Sequence, residues 1–413
     1  MRLGLCCCKC LRNKKVFVLF FGKVLIFFRE SCKIKRSKNQ SGMIPVNYEG
    51  VIMKRIGILT GGGDCPGLNP VIRAVVKTAI GKYGMSVVGF KNGYKGLYHN
   101  ETVELTLENT SGILHRGGTI LFSSNKDNLF DYLVPDENGN MVKKDVSHVG
   151  VENIKKNNID ALIIIGGDGT LTSGRDFARL GVPVIGVPKT IDNDLSSTDT
   201  TFGFDTAVGV AEEAIDRIHT TAESHHRIIT VEIMGRYAGF LGLSAGIAGG
   251  ADVCLIPEIP FDINKVAEHI KKRIAQGKEF SVVAVSEGAK SITGEVCVQK
   301  IVEGSPDPVR LGGIAQKVAD DLEEMVGLEA RATILGHVQR GGTPSSADRI
   351  LSTRYGVAAV ELAVAGKFGN MVALKDNQMT YVSLEDVIGC NKAVDPDGEL
   401  VQAAKAIGIC FGD

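Results

Sequence analysis

The sequence predicts an α/β protein built on parallel sheets that helices cover on both faces. Three observations carry this. Short apolar runs alternate with segments of helical spacing along most of the 413 residues. The runs are apolar throughout instead of alternating with polar residues, as strands buried on both faces are. Glycine clusters close several of the runs: there are 50 glycines, about 12 % of the chain against a usual ~7 %. They are aperiodic, which excludes a collagen-like chain, and they mark turns where backbone passes close to something else.

In chain order, Arg55–Thr60 is the first apolar run and ends in a glycine turn. Leu68–Tyr83 follows with Val71, Val75, Val76 and Ile80 near helical spacing, then a strand at Ser86–Phe90. The alternation continues with a strand at 161–165, a helix at 171–180 and a strand at 182–187. Next come a helix at 207–224 and strands at Ile228–Ile233 and 251–256. A helix at 263–276 and a strand at 281–285 complete it. Length allows two or three domains, and the alternation is long enough for two sheets. No repeat of 20–50 residues interrupts it.

The formal net charge of zero conceals two unlike parts. Residues 1–42 hold eleven Lys and Arg against one acid, Glu30, which leaves 36 basic and 46 acidic residues for the rest. An acidic body argues against a general nucleic-acid surface. The first 42 residues also hold Cys6, Cys7, Cys8, Cys10 and Cys32 of the ten cysteines. Their apolar stretch, 16–28, is interrupted by Lys23 and is shorter than the ~20 residues of a membrane span. No small-residue cleavage site follows it, and the cysteines lack a spaced second pair for zinc. The segment is expected to lie outside the functional body, as a disordered extension or an early start ahead of Met43 or Met53. The scattered Cys65, Cys254, Cys297, Cys390 and Cys410 fit reduced thiols in a cytoplasmic protein.

Ligands of such folds sit beyond the carboxyl ends of the strands, so the loops there matter most. The first is Gly61-Gly62-Gly63-Asp64-Cys65-Pro66-Gly67, whose amides can face an anion; a tight structural turn fits equally. The second, Gly166-Gly167-Asp168-Gly169-Thr170, leaves room for phosphates, and Asp168 suits Mg²⁺; a turn with Asp168 capping the next helix fits equally. The third, Lys189-Thr190-Ile191-Asp192-Asn193-Asp194, offers two carboxylates to share base and metal work, with Lys189 to offset phosphoryl charge. A polar turn is its plain alternative. Later segments add Arg227, Met234-Gly235-Arg236, Glu287, Arg331, His337 and Arg340. The guanidinium fork matches phosphate oxygens, so these arginines make a candidate phosphate cradle.

TGGGDCPGLN, GGDGT, PKTIDND, MGRYAGF, SEG and ARATILGHVQRGGTPSSADR, in this order, resemble the phosphofructokinase family from about residue 54 to near the end of the chain. GGDG alone also occurs in NAD kinases and lipid kinases; the PKTIDND, MGR and QRGG loops argue against an NAD-kinase-like enzyme. The resemblance implies phosphoryl transfer to the 1-hydroxyl of fructose 6-phosphate, giving fructose 1,6-bisphosphate, the step that commits hexose phosphate to glycolysis. It implies Asp192 as general base, Asp194 as its supporting carboxylate and Asp168 as the Mg²⁺-linked residue. Lys189, Thr190 and Arg236 would contact the transferring phosphoryl. Gly62, Gly63, Asn125, Lys126, Gly167, Asp168, Gly169 and Thr170 would line the donor. Thr190, Ile191, Asp192, Arg227, Met234, Gly235, Arg236, Glu287, Arg331, His337 and Arg340 would line the sugar phosphate, with Arg227 and Arg331 reaching in from a neighbouring subunit. A homotetramer or homodimer follows from that, with no nucleic-acid or membrane partner. One lobe would span 54–203 plus 339–389, the other 204–338 plus 390–413, with the reaction in the cleft between them.

Family members use ATP or pyrophosphate. Pyrophosphate users typically carry Asp at the place of Gly169, so Gly169 favours ATP; Lys189 is shared with the pyrophosphate branch. The mixture resembles the mixed-substrate group. One departure is Asn125, where the family often has an Arg on the ATP phosphates. A pyrophosphate-dependent phosphotransferase is therefore the rival enzyme, and a non-catalytic sugar-phosphate sensor the rival of another class. Of the family's effector-site cations Arg73, Lys77 and Lys278 match, but His219 replaces an Arg, which implies weak or absent regulation by those effectors.

Overall fold

The computed structural model describes residues 16–21, 24–29, 53–301 and 309–413. Residues 1–42 and 43–413 form separate compact units. In the first, β1 (Val16–Phe21) pairs antiparallel with β2 (Val24–Arg29). The five cysteines of this segment lie outside the described residues.

In the second unit the chain runs through β3 (Arg55–Thr60), β4 (Ser86–Phe90) and β5 (Thr102–Leu105). A small antiparallel hairpin follows, β6 (Tyr132–Pro135) with β7 (Met141–Lys144). After β8 (Ala161–Gly166) and β9 (Val184–Pro188) come β10 (Ile228–Ile233), β11 (Val253–Leu255) and β12 (Ser281–Ser286). A second hairpin joins β13 (Val298–Ile301) to β14 (Val309–Leu311), before β15 (Ala330–Ile334), β16 (Asn370–Lys375) and β17 (Gln378–Ser383). Two larger sheets result. One has seven strands in the order β17-β16-β9-β8-β3-β4-β5, the other four in the order β11-β12-β10-β15.

The four-stranded sheet is parallel throughout, and so is the centre of the larger one. Both outer strands of the larger sheet are antiparallel: β5 on β4 and β17 on β16. The sheets are thus mainly parallel, as expected, with the antiparallel pairing confined to the outer strands of the larger one. Strands β8, β10 and β12 are buried along their whole length, as continuous apolar runs predict. The edge strands β5 and β17 alternate or are largely exposed, so their sequences carry no such run.

Helices flank the sheets and start close to where the strands end. Leu68–Tyr83 follows β3, and packs on the long helix Ser346–Val364. The helix after β8 starts at Asp168, three residues before the expected start at 171. Its first turn, Asp168-Gly169-Thr170, carries no apolar residue, so periodicity could not show it. Phe204–His225 likewise begins three residues ahead of the expected 207. In the smaller sheet the buried carboxylate of Glu232 accepts from the backbone N–H groups of Gly313 and Ala315 at 3.0–3.1 Å. A buried charge is thereby matched to the positive start of helix Ile314–Val326. Among the described residues no helix is long and apolar enough to cross a membrane.

Candidate active site

The loops singled out from sequence leave the carboxyl ends of strands in both sheets. Residues 61–67 follow β3, Gly167 follows β8 and 189–203 follow β9. Met234-Gly235-Arg236 follows β10, Glu287 follows β12 and the 3₁₀ turn Gly336–Arg340 follows β15. Parallel strands start and end in register, so their carboxyl ends bring these loops into one neighbourhood.

The loop after β9 is the most buried. Lys189, Thr190, Ile191, Asp192 and Asn193 are all buried. The Asp192 backbone N–H donates to Thr190 Oγ1 at 3.0 Å, and the Thr201 hydroxyl donates to the Thr190 carbonyl at 2.7 Å. Asp192 Oδ1 is buried with no hydrogen-bond partner among the described residues. A carboxylate oxygen left in this state is costly unless a ligand group meets it. Burial, then the Asp192 charge and the Asp168 charge, push the Asp194 carboxyl up to about 6.

Lys189 sits under the first glycine loop. Its ammonium donates to the Gly63 carbonyl at 2.6 Å, and burial pulls its pKa down. Arg340 lies beside the same loop, with Nη1 donating to the Asp64 carbonyl at 3.3 Å. The Gly62 N–H donates to Ser124 O at 3.0 Å, tying the glycine loop to 123–126. Gly62, Gly63, Asp64, Ser123 and Asn125 line a cleft of about 520 Å³. Asn125 and Lys126 are exposed on its rim. Asp168 does not cap its own helix. Its Oδ1 accepts from the Gly389 N–H at 3.0 Å. Thr170 is buried, Gly167 half-buried, and a Cβ added at Gly169 would meet nothing within 4 Å.

From the smaller sheet, Arg236 takes a left-handed φ of 51°, and its N–H donates to Glu287 Oε1 at 3.0 Å. Burial raises the Glu287 pKa, and the Asp192 charge adds to it, which places the two carboxylates within electrostatic reach. Gly288 is required here: a Cβ would lie 1.7 Å from the Arg236 carbonyl oxygen. Met234 N–H donates to the buried Gln339 side chain at 3.3 Å, joining Gly235 and its neighbours to the turn that carries exposed His337 and half-buried Arg340. Gln339 was not singled out from sequence, because an amide inside QRGG carries no charge to attract notice.

Two arginines are not brought there. Arg227 precedes β10 and Arg331 lies at the start of β15, opposite Ile229. Both are at the amino ends of these strands, while Arg236 and Arg340 are at the carboxyl ends; a strand of that length separates them by about 20 Å. The cradle of four arginines therefore does not form within one chain. Arg227 Nε instead donates to Glu329 at 2.7 Å, and Arg331 bonds the other oxygen of the same carboxylate. The effector-site candidate His219 bonds the Gly249 carbonyl at 2.8 Å.

A second missed residue, Lys392, comes from the C-terminal segment. Its ammonium donates to Asn193 Oδ1 in the loop after β9 at 3.1 Å. It lies two hundred residues from that loop in sequence, so no local signal could have linked them.

Residues 55–363 match the family model described as Phosphofructokinase. ATP-dependent 6-phosphofructokinase 2 of Clostridium perfringens is 66% identical over 362 residues, covering 87% of this chain and 99% of that protein. ATP-dependent 6-phosphofructokinase of Chloroflexus aggregans is 49% identical over 361 residues, covering 87% and 98%. A solved phosphofructokinase of Saccharomyces cerevisiae superposes with a TM-score of 0.68 at 31% identity, covering 81% of this chain and 45% of that one. The glycine loops, the paired carboxylates and the Arg–Glu turn described above all lie within the matched residues, and the chain belongs to the phosphofructokinase family.

Proposed function

We propose that this chain transfers the terminal phosphoryl of ATP to the 1-hydroxyl of fructose 6-phosphate, releasing ADP and fructose 1,6-bisphosphate. The observation that carries the mechanism is Asp192: a buried carboxylate with an unpartnered oxygen, beside Lys189, Thr190 and Asp194. As the sugar oxygen bonds to the γ-phosphorus, its O–H bond breaks and Asp192 takes the proton; the bond to the β-phosphate oxygen breaks and the electrons leave with ADP. Lys189 and Arg236 offset the charge on the transferring phosphoryl, held in place by the backbone contacts above. Asp194 places a second carboxylate beside the base, within reach of its charge.

Gly62, Gly63, Asn125, Lys126, Gly167, Gly169 and Thr170 line the donor side. The open space at Gly169 supports a nucleotide donor over pyrophosphate, as do the ATP-dependent relatives. Met234, Gly235, Glu287, His337 and Arg340 line the sugar-phosphate side. Asp168, within electrostatic reach of Asp194, suits Mg²⁺, which takes one or two carboxylates together with phosphate oxygens; bound there, it would neutralise phosphate charge. Arg227 and Arg331, remote from their own chain's site, serve a neighbouring subunit's sugar phosphate, so the working form is a homotetramer or homodimer. The lobes are 54–203 plus 339–389 and 204–338 plus 390–413, and the enzyme works in the cytoplasm.

The test is formation of fructose 1,6-bisphosphate from fructose 6-phosphate, Mg²⁺ and either ATP or pyrophosphate. Turnover is expected with ATP; turnover with pyrophosphate alone would overturn the donor assignment. Asp192→Ser is expected to lower kcat by ~10²–10⁴, the worth of general-base help. Undiminished turnover in that variant would remove Asp192 from the mechanism.

A further inference from the structure

After the short helix Leu384–Val387 the chain passes along the candidate site as an irregular strap. Val387 O accepts from the Ser196 hydroxyl at 3.2 Å. The Gly389 N–H reaches the Asp168 carboxylate. Asn391 pairs antiparallel with Leu195, and the Lys392 N–H donates to Asp194 O at 2.8 Å. Val394 N–H then donates at 2.8 Å to Glu258, which also accepts from Gly239 N–H at the end of the Arg236 loop. The strap thereby bonds the Asp168 turn and the loop after β9, and reaches the end of the Arg236 loop through Glu258.

Its one cation aimed inward is Lys392. An ammonium has three protons to donate, and all three are used: Asn193 Oδ1 at 3.1 Å, Thr198 O at 3.0 Å and Asp199 O at 2.9 Å. The Phe240 ring lies 5.3 Å from it. Asn193 stands between Asp192 and Asp194 with a left-handed φ of 53°. A non-glycine residue holds that conformation at a cost, which its surroundings must offset. They do so through one atom: Asn193 Oδ1 also accepts from the Thr201 N–H at 3.1 Å. The turn that aims the two carboxylates is thus pinned at Asn193, and Lys392 completes the pin from outside the loop.

We propose that Lys392 is a positioning residue for phosphoryl transfer: through Asn193 it fixes the turn that presents Asp192 and Asp194. This rests on the reading of Asp192 as the base. It predicts a loss in the chemical step with little change in sugar binding, because a base misplaced by about 1 Å can cost ~10²-fold.

The full chain is assayed as wild type, Lys392→Met, Lys392→Arg, Asn193→Gly and the Lys392→Met/Asn193→Gly double variant, with thermal unfolding of each. Each of Lys392→Met and Asn193→Gly is expected to lower kcat by roughly 10–100-fold and to move KM for fructose 6-phosphate by less than about threefold. The double variant is expected to be no slower than the slower single, since both cut one link. Lys392→Arg, which keeps the cation, is expected to recover most of kcat. Unchanged kcat in both single variants, multiplying losses in the double variant, or an arginine no better than methionine would each overturn the proposal. A strap that served stability alone would lower the unfolding temperature and leave kcat in place. If Lys392→Met does not fold, Asn193→Gly decides alone, because glycine accepts the left-handed φ without strain. Asp192→Ser is assayed alongside. Activity there defeats the base assignment, whereas its loss with Lys392→Met and Asn193→Gly at full kcat defeats only the role of Lys392.

Discussion

Asp194 shows what the site costs at the scale of one residue. Its carboxyl is raised from 3.8 to about 6 by burial and by the neighbouring charges of Asp192 and Asp168. In the unfolded chain it ionises at its ordinary value, so the folded state holds its proton more tightly. The favourable contribution is therefore full below about pH 4 and is lost as pH rises through about 6. At pH 7–8 the folded protein carries an ionised carboxylate in a place that disfavours it. Asp194→Asn, neutral at every pH, is expected to be more stable than wild type at pH 7–8 by on the order of 2 kcal/mol. The gap should close toward pH 4, and the variant should lose activity. Denaturant unfolding of both proteins from pH 4 to pH 8 checks this; a constant difference across the range would mean that Asp194 is not the titrating group. The identity of Asp192, Asp194, Lys189 and Asp168 as candidates was legible from residue type and spacing. That Asp192 has an unpartnered oxygen, and that Asp168 bonds Gly389 instead of capping its helix, was not. Both depend on what the rest of the chain places opposite them.

At the scale of elements, six loops meet because six parallel strands deliver them at their carboxyl ends. The Arg236 loop shows how little freedom remains there. Arg236 holds a left-handed φ, its N–H is bound to Glu287, and its carbonyl lies where any Cβ at Gly288 would go. Gly288→Ala must displace that loop. A loss of more than about tenfold in kcat/KM for fructose 6-phosphate is expected, with the fold retained by circular dichroism. A variant with wild-type kcat/KM would show that the Arg236 loop does not need this packing. The same scale explains which elements the sequence showed. Strands β3, β4, β8 and β10 are runs of buried apolar residues and were visible at once. Strands β5 and β17 sit at the sheet edge and carry no apolar run; β5 is a four-residue alternation too short to stand out, and β17 is largely exposed. The first turn of the helix after β8 has no apolar residue to mark it.

For the whole molecule, the placement of Arg227 and Arg331 makes the decisive prediction. Each bonds Glu329 at the amino ends of β10 and β15, far from its own chain's Asp192. Arg331→Ala chains and Asp192→Ser chains should each be nearly inactive alone. Unfolded and refolded together, they should regain activity, because a mixed oligomer contains sites with Asp192 from one chain and Arg331 from the other. No recovery in a mixture that size-exclusion chromatography shows to be assembled would mean that these arginines serve no neighbour. The sequence by itself determined the α/β class, the parallel centre of both sheets and the loops that carry the chemistry. Those are set by local apolar runs, glycine turns and residue type, which act over a few neighbours in the chain. Tertiary structure alone decided that four arginines divide between opposite ends of a sheet. It alone carried Lys392 to Asn193 and left an oxygen of Asp192 open. Each of these is set by which strands lie side by side and where the chain returns, and contacts between residues a hundred or more positions apart leave no periodicity in the sequence to be read.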